Sequence, residues 1–520
     1  VTKTLKKRPS RSNFHFLITA CALIGLLSKP MMSFAQPTIS SATQDFLERD
    51  DLVVRFTPQG GCIKDLQVKN FKEKLDGEDN ARVTGGHVHC RALAIKVGQE
   101  DLRNSPAEIA VSGQGSATIV QKSGPIEVTR TLQLREPYSG EFSIVVKNNG
   151  NGTWSGPVGV DVGLVSEPKD AGGLFGGPSL EYREAVYYVD EKVTRVTLPF
   201  EEKTTPSVLE EKSSFKPEWI ASNSLYFALA LLPKGGELFD VKVARTGFNS
   251  GLSAGALDRT LYELWLSTMV NDLAPGSSKT INFDLYAGPK SKSALSNSFK
   301  SKNLSKNIDF GFFSVVAWPL FYVLKWFETI SKNWGLAIIL LTVVLKIVLY
   351  PLTEKAFVAG KKMQKLQPEL NALKEKFKDD KQAQQREMMS LMGQRGVNPM
   401  SGCLPILPQL PIFFGLNAVL MHTFELRHAP FAFWLKDMTA RDPLYITPVI
   451  MAGLMYIQQK LTPAPTSMDP AQQKMMQFLP LIFAVFMLTY PSGLVVYIIT
   501  NTVLSLIQQK YMMRKYASLN

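Results

Sequence analysis

The chain has 520 residues, too many for one ordinary domain, and 58 Lys+Arg against 45 Asp+Glu give it a formal net charge of +13. That balance does not point to DNA, because the cations sit beside long apolar runs, the usual place for the cytoplasmic flanks of membrane spans. Five scattered histidines and four cysteines have no metal-ligand spacing, so neither a zinc site nor another cofactor is expected.

At the N-terminal end, Lys3, Lys6, Lys7, Arg8 and Arg11 precede FHFLITACALIGLL, residues 14–27. This run is short for a span and suits the core of a signal peptide. Ser33 and Ala35 form a small-x-small cleavage site before Gln36. Residues 1–35 are therefore either removed there or kept as a signal anchor, and in both cases the chain from residue 36 is exported.

From 36 to 290 apolar and polar residues alternate in short runs, as in IEVTRTLQL (126–134) and TINFDLYAG (280–288), with Gly, Pro, Asn and Asp between them. This is the pattern of a large antiparallel β-sandwich. Cys62 and Cys90 lie in this exported part and form either one disulfide or two buried thiols. No P-loop, GxSxG or His/Cys cluster is present, which favours a binding or spacer domain over an enzyme. Residues 291–309 are Lys/Ser-rich and read as a polar linker.

The rest of the chain is apolar. Residues 310–333 carry Pro319, Lys325, Glu328 and Lys332 within a short apolar stretch and predict an amphipathic helix on the membrane surface. Residues 334–352 predict a span. Residues 353–400 hold ten Lys/Arg against six Asp/Glu, which places them in the cytoplasm. Leu366, Leu370, Leu373 and Phe377 recur there at helical spacing, Lys378–Lys381 marks a turn, and Met388, Leu391 and Met392 return, so a helical hairpin is expected. Further spans are expected at about 403–424, 444–461, 475–490 and 492–509, the last two separated by Pro491-Ser492-Gly493. The membrane core thus runs over 334–511, and a cytoplasmic tail follows at 512–520. The expected fold class is a polytopic α-helical membrane protein with five core spans and a large exported all-β domain.

Within the second apolar run, WGLAIILLTVVLKIVLYPL (334–352), stands one cation, Lys346. Six residues from the end of that run, its Cα would lie ~9 Å below the cytoplasmic surface. Either it snorkels to the headgroups or it faces a wet recess inside the bundle. Thr342 one turn away, with Gln409, Asn417, Thr489 and Tyr497 on other spans, favours the recess.

Three long motifs carry a family resemblance: NPMSGCLPILPQLPIF (398–413), ELRHAPFAFWLKDMTARDPLYITP (425–448), and DPAQQKMMQFLP followed by YPSGLVVY (469–497). With them the chain resembles the YidC-type membrane protein insertases. The resemblance implies a periplasmic β-supersandwich, a surface helix, five core spans and a cytoplasmic hairpin in the bacterial inner membrane. It also implies insertion and folding of membrane proteins without nucleotide hydrolysis or covalent catalysis. Nascent membrane proteins and lipids are the implied partners, with the Sec translocon and the ribosome beside them. The family pattern has an arginine on the second span, in a hydrophilic groove. The matching position is Lys346, which keeps the charge and loses the planar five-donor fork. Thr342, Gln409 and Tyr497 match other groove positions.

Overall fold

The computed structural model describes residues 45–84, 90, 92–113, 115–135, 137–165, 184–197, 207–247, 260–396, 406–461, 478 and 481–517. The N-terminal segment, the 398–405 part of the first motif and most of 469–480 lie outside these residues.

The period-two alternation becomes strands. Along Ile126–Arg135 every second side chain is buried, and Ser139–Asn148 pairs with it antiparallel, Leu132 opposite Phe142 and Val128 opposite Val146. Directly opposed residues share a face, so the inward rows of neighbouring strands stack into one apolar surface. Nine strands form such a sheet, in the order Lys192–Thr197, Glu184–Val189, Trp219–Asn223, Phe227–Pro233, Ser278–Pro289, Ser139–Asn148, Ile126–Arg135, Ser116–Ser123 and Glu108–Ser112. A second sheet of seven strands contributes Val241, Leu264 and Leu266 to the core that the first lines with Phe142, Leu229 and Phe283. Among the described residues four strands between Phe46 and Arg82 make a third sheet. Every ladder among the described residues is antiparallel, as expected for an all-β sandwich.

Arg130 is the largest fully buried side chain to break the apolar rule. Its guanidinium donates to the carbonyls of Leu93 (2.8 Å) and Gly60 (3.0 Å) and to the side-chain oxygen of Gln121. Burial pushes it down to about 9. Gly61, with φ +54°, packs where a Cβ would strike that guanidinium and Ile119. A loop tied this tightly to a buried cation needs the residue without a side chain.

Cys62 and Cys90 are joined as a disulfide, Cα to Cα 5.2 Å and 28 positions apart, with Cys62 buried beside Trp265. The bond packs beside Ala94 and Trp265 of the seven-stranded sheet, and Cys62 stands one residue before the strand Ile63–Lys72. Closing a loop of this length restricts the unfolded chain by about 3–4 kcal/mol. Cys90→Ser should therefore lower the unfolding free energy of the β-part by about that amount, measured by denaturant titration of tryptophan fluorescence. Reductant should reproduce the loss in the parent and add nothing in the variant.

The Lys/Ser-rich stretch 291–309 is not a loose linker. It forms helix α1 (Lys292–Ser298) and two 3-10 turns, and it straps onto the outer face of the nine-stranded sheet. Leu295 and Leu304 are buried there against Val186, Tyr188, Trp219 and Tyr286. Below the strap lies a polar knot. Glu184, 1 % exposed, accepts from Arg195 (2.8 Å) and Asn223 (2.9 Å) and sits 3.8 Å from the Lys290 ammonium. Asn223 and Asn307 exchange two side-chain hydrogen bonds, and Arg195 also donates to the carbonyls of Lys306 and Asn307. Burial pushes Lys290 down to about 8, with Glu184 pulling the other way.

Helices follow: α2 (Ser314–Ser331), α3 (Trp334–Val348), α4 (Tyr350–Lys365), α5 (Gln367–Lys376), α6 (Lys381–Gln394), α7 (Ile406–His422), α8 (Ile446–Leu461) and α9 (Ser492–Lys515), with a further helical stretch at 481–487. Among the described residues, α9 alone is long and apolar enough to cross a membrane as one straight helix. The expected span 334–352 is interrupted: α3 ends at Val348 and the chain turns 59° into α4. Pro351, in the first turn of α4, lacks the N–H that would continue the ladder. Pro368 breaks the expected hairpin helix in the same way, between α4 and α5. The predicted surface helix is α2. Its Ala317, Leu320, Phe321 and Leu324 join the helical core with residues of α3 and α7, while Val315, Trp326 and Ile330 remain exposed, so it is apolar on both sides. In the hairpin, Leu366 and Leu370 pack on Met392; Leu373 is half-buried, and Phe377 ends α5.

Candidate functional site

Helices α3 and α9 pack together, and each offers a polar row at spacing four: Thr342 and Lys346 on α3; Tyr497, Asn501 and Ser505 on α9. Residues four apart stand one above the other on a helix face. The rows meet at one point. The Lys346 ammonium donates to the Ser505 hydroxyl at 2.7 Å, and that hydroxyl donates to the Asn501 carbonyl, also at 2.7 Å. Lys346 is half-buried and bonded across the seam rather than extended along α3. It lies in the last turn of α3, two residues from the helix end instead of six, where unpaired carbonyls favour a cation.

Thr342 is buried and donates back to the Ile338 carbonyl (2.7 Å). Tyr497 is buried, its ring centre 6.4 Å from that of Phe413 on α7. Gln409 and Asn417 come from α7, and the buried Asn417 Oδ1 has no hydrogen-bond partner among the described residues. Thr489 does not join this group. It donates to the Phe486 carbonyl (3.0 Å) just before Pro491. From there α9 begins at Ser492, so Ser505 lies ~20 Å farther along the axis. Ser505 is outside the set expected from sequence, although the spacing Tyr497–Asn501–Ser505 carries its signal.

The opposite end of the helices is closed against the β-part. Phe424, after α7, inserts among Phe71, Tyr226 and Phe227, with its ring centre 4.8 Å from that of Phe71. Arg427 donates to the carbonyls of Lys72 (2.6 Å) and Glu73 (2.7 Å). Asn333 caps α3 and donates to the Phe431 carbonyl. Asp442 accepts from Trp434, from the Leu444 N–H, and from both the N–H and the hydroxyl of Thr447 at the start of α8. Burial pushes the Asp442 carboxyl up, but these donors outweigh it and hold the group below the usual carboxylate range. The Ser492 N–H bonds the Ala440 carbonyl, and its hydroxyl bonds that of Asp437. Beyond the other end, Glu354 of α4 accepts from Lys515 and Tyr516, tying the hairpin base to the end of α9. The geometry is therefore one-sided: a dense cap at the β-end, and a polar seam with a cation toward the hairpin. Among the described residues no group of three or more His, Cys, Asp or Glu is placed to hold a metal.

Residues 326–518 match the family described as 60Kd inner membrane protein, and residues 111–323 match the YidC periplasmic domain. A membrane protein insertase YidC of Geobacter sulfurreducens is 35 % identical over 482 residues, covering 89 % of this chain and 85 % of that one. That of Shewanella amazonensis is 42 % identical over 301 residues, 58 % of this chain and 53 % of the other. A crystal structure of an active YidC insertase aligns over 89 % of this chain and 93 % of that one, at 21 % identity and a TM-score of 0.37.

Proposed function

The chain belongs to the YidC family of membrane protein insertases, inner-membrane proteins with a periplasmic domain, and from that premise we propose that it works through a hydrated groove centred on Lys346 and open toward the cytoplasm. The hairpin α4–α6 and the end of α9 lie in the cytoplasm, and the capped end faces the periplasm. The groove also takes in Thr342, Tyr497, Gln409 and Asn417.

A nascent apolar helix already gains free energy in lipid, at about 0.3–0.6 kcal/mol for each Leu or Ile. The barrier is the polar flank, whose backbone and charges must cross hydrocarbon. Water held beside Lys346 shortens that dry path, and the positive charge attracts acidic flanks. The observation that carries this reading is the bond from Lys346 to Ser505. It keeps the ammonium between two helices, away from lipid, where an unpartnered charge is costly. No covalent bond is made or broken; partitioning drives the step, aided by the membrane potential. The basic outer face of the hairpin offers a surface to lipid phosphates or ribosomal RNA, and the Sec translocon is the neighbour expected beside the helices.

Purified protein in nucleotide-free liposomes should insert a small single-span substrate, with its outer flank protected from added protease. A flux of small solutes without insertion would instead identify a transporter.

A further inference from the structure

We infer that Ser505 is a positioning residue for insertion: it fixes the Lys346 ammonium so that the remaining N–H donors face an incoming acidic flank. The inference rests on the groove reading above and adds a second helix to it.

The bond is directional. The Ser505 hydroxyl spends its proton on the Asn501 carbonyl one turn earlier, so toward Lys346 it can only accept. An ammonium has three donors. One goes to Ser505, and the other two have no protein partner among the described residues. No carboxylate forms an ion pair with Lys346 among the described residues, so its charge is not neutralised within the protein. The last turn of α3 and the hydroxyl of α9 thus hold a lysine, a side chain with four rotatable carbons, in one orientation. What fits two free N–H donors on an uncompensated cation is a carboxylate, here an Asp or Glu in the polar segment flanking the substrate's apolar helix. Ser505 therefore favours substrates with an acidic flank over those with a neutral one.

The test uses the full chain in liposomes and a single-span substrate whose flank carries either two Asp or two Asn. Ser505→Ala should slow insertion of the acidic substrate about five-fold, less than losing a whole hydrogen bond to a charged group because the cation itself remains, and leave the neutral substrate nearly unchanged. Ser505→Thr, which keeps the hydroxyl, should restore the rate. In a Lys346→Ala background, Ser505→Ala should have no further effect. Equal slowing of both substrates, no recovery with Thr, or an undiminished effect without the lysine would each overturn the positioning role and assign Ser505 to helix packing. Insertion of the acidic substrate by Ser505→Ala at the parental rate would overturn it equally. If Lys346→Ala alone inserts both substrates at the parental rate, the groove reading itself fails, and this inference with it.

Discussion

Lys346→Ala should slow insertion of an acidic-flanked single-span protein by about ten-fold or more, while Lys346→Arg should keep most of the rate. The alanine removes the cation that the α3–α9 seam holds in place and leaves Ser505 without its donor. A hydrogen bond to a charged group is worth about 1.5–3 kcal/mol, and 1.4 kcal/mol is a factor of ten. Arginine keeps the charge and brings five donors, so it can serve the same flank with altered geometry. A companion measurement reads the water directly. Lys346→Cys should react with a membrane-impermeant thiol reagent added from the hairpin side, and not from the side of the β-domain, where the cap of Trp434, Asp442 and Ser492 closes the bundle. An unreactive cysteine together with an unchanged insertion rate would sink the hydrated groove.

The second large effect is expected far from that seam. Glu184→Ala should cost about 3–5 kcal/mol of stability, because it removes the buried carboxylate shared by Arg195 and Lys290 and leaves Arg195 only the more exposed Asp309 at 3.2 Å. Arg195 is also what holds the strap through the carbonyls of Lys306 and Asn307. The loss should therefore show first as protease cleavage within 291–309, before the sheets unfold. Glu184→Gln retains acceptors for Arg195 and Asn223 and should lose less. A Glu184→Ala protein whose strap resists protease as well as the parent would show that Leu295 and Leu304 alone secure it.

The sheets are legible in the sequence because period-two alternation is local: each of IEVTRTLQL and TINFDLYAG declares its buried face within nine residues. Arg130 sits on that buried face, yet its partners lie 37 and 70 positions away at Leu93 and Gly60, and no local pattern announces them. The strap escapes a sequence reading for a related reason. Two leucines among lysines and serines make no periodic stripe, and their burial depends on a sheet completed elsewhere. In the helical half, apolar runs mark the elements, but hydropathy reads through a proline. The 334–352 run therefore looks straight, although Pro351 turns it and moves Lys346 close to the end of α3. Polar residues can be named from sequence without their level along the bundle, which is why Thr489 falls in with residues at the far end. The partner of Lys346 has a sequence signature, a third polar residue in register with Tyr497 and Asn501, and only the pairing of α3 with α9 shows why it matters.

The cystine between Cys62 and Cys90 has a consequence for how the molecule is made. Such bonds form and persist where the surroundings are oxidising, and cytosolic thiols remain reduced. The outer half of this insertase cannot be completed where it is synthesised. It is finished only after leaving the cytosol, so a new copy acquires its last cross-link after translocation and not during synthesis.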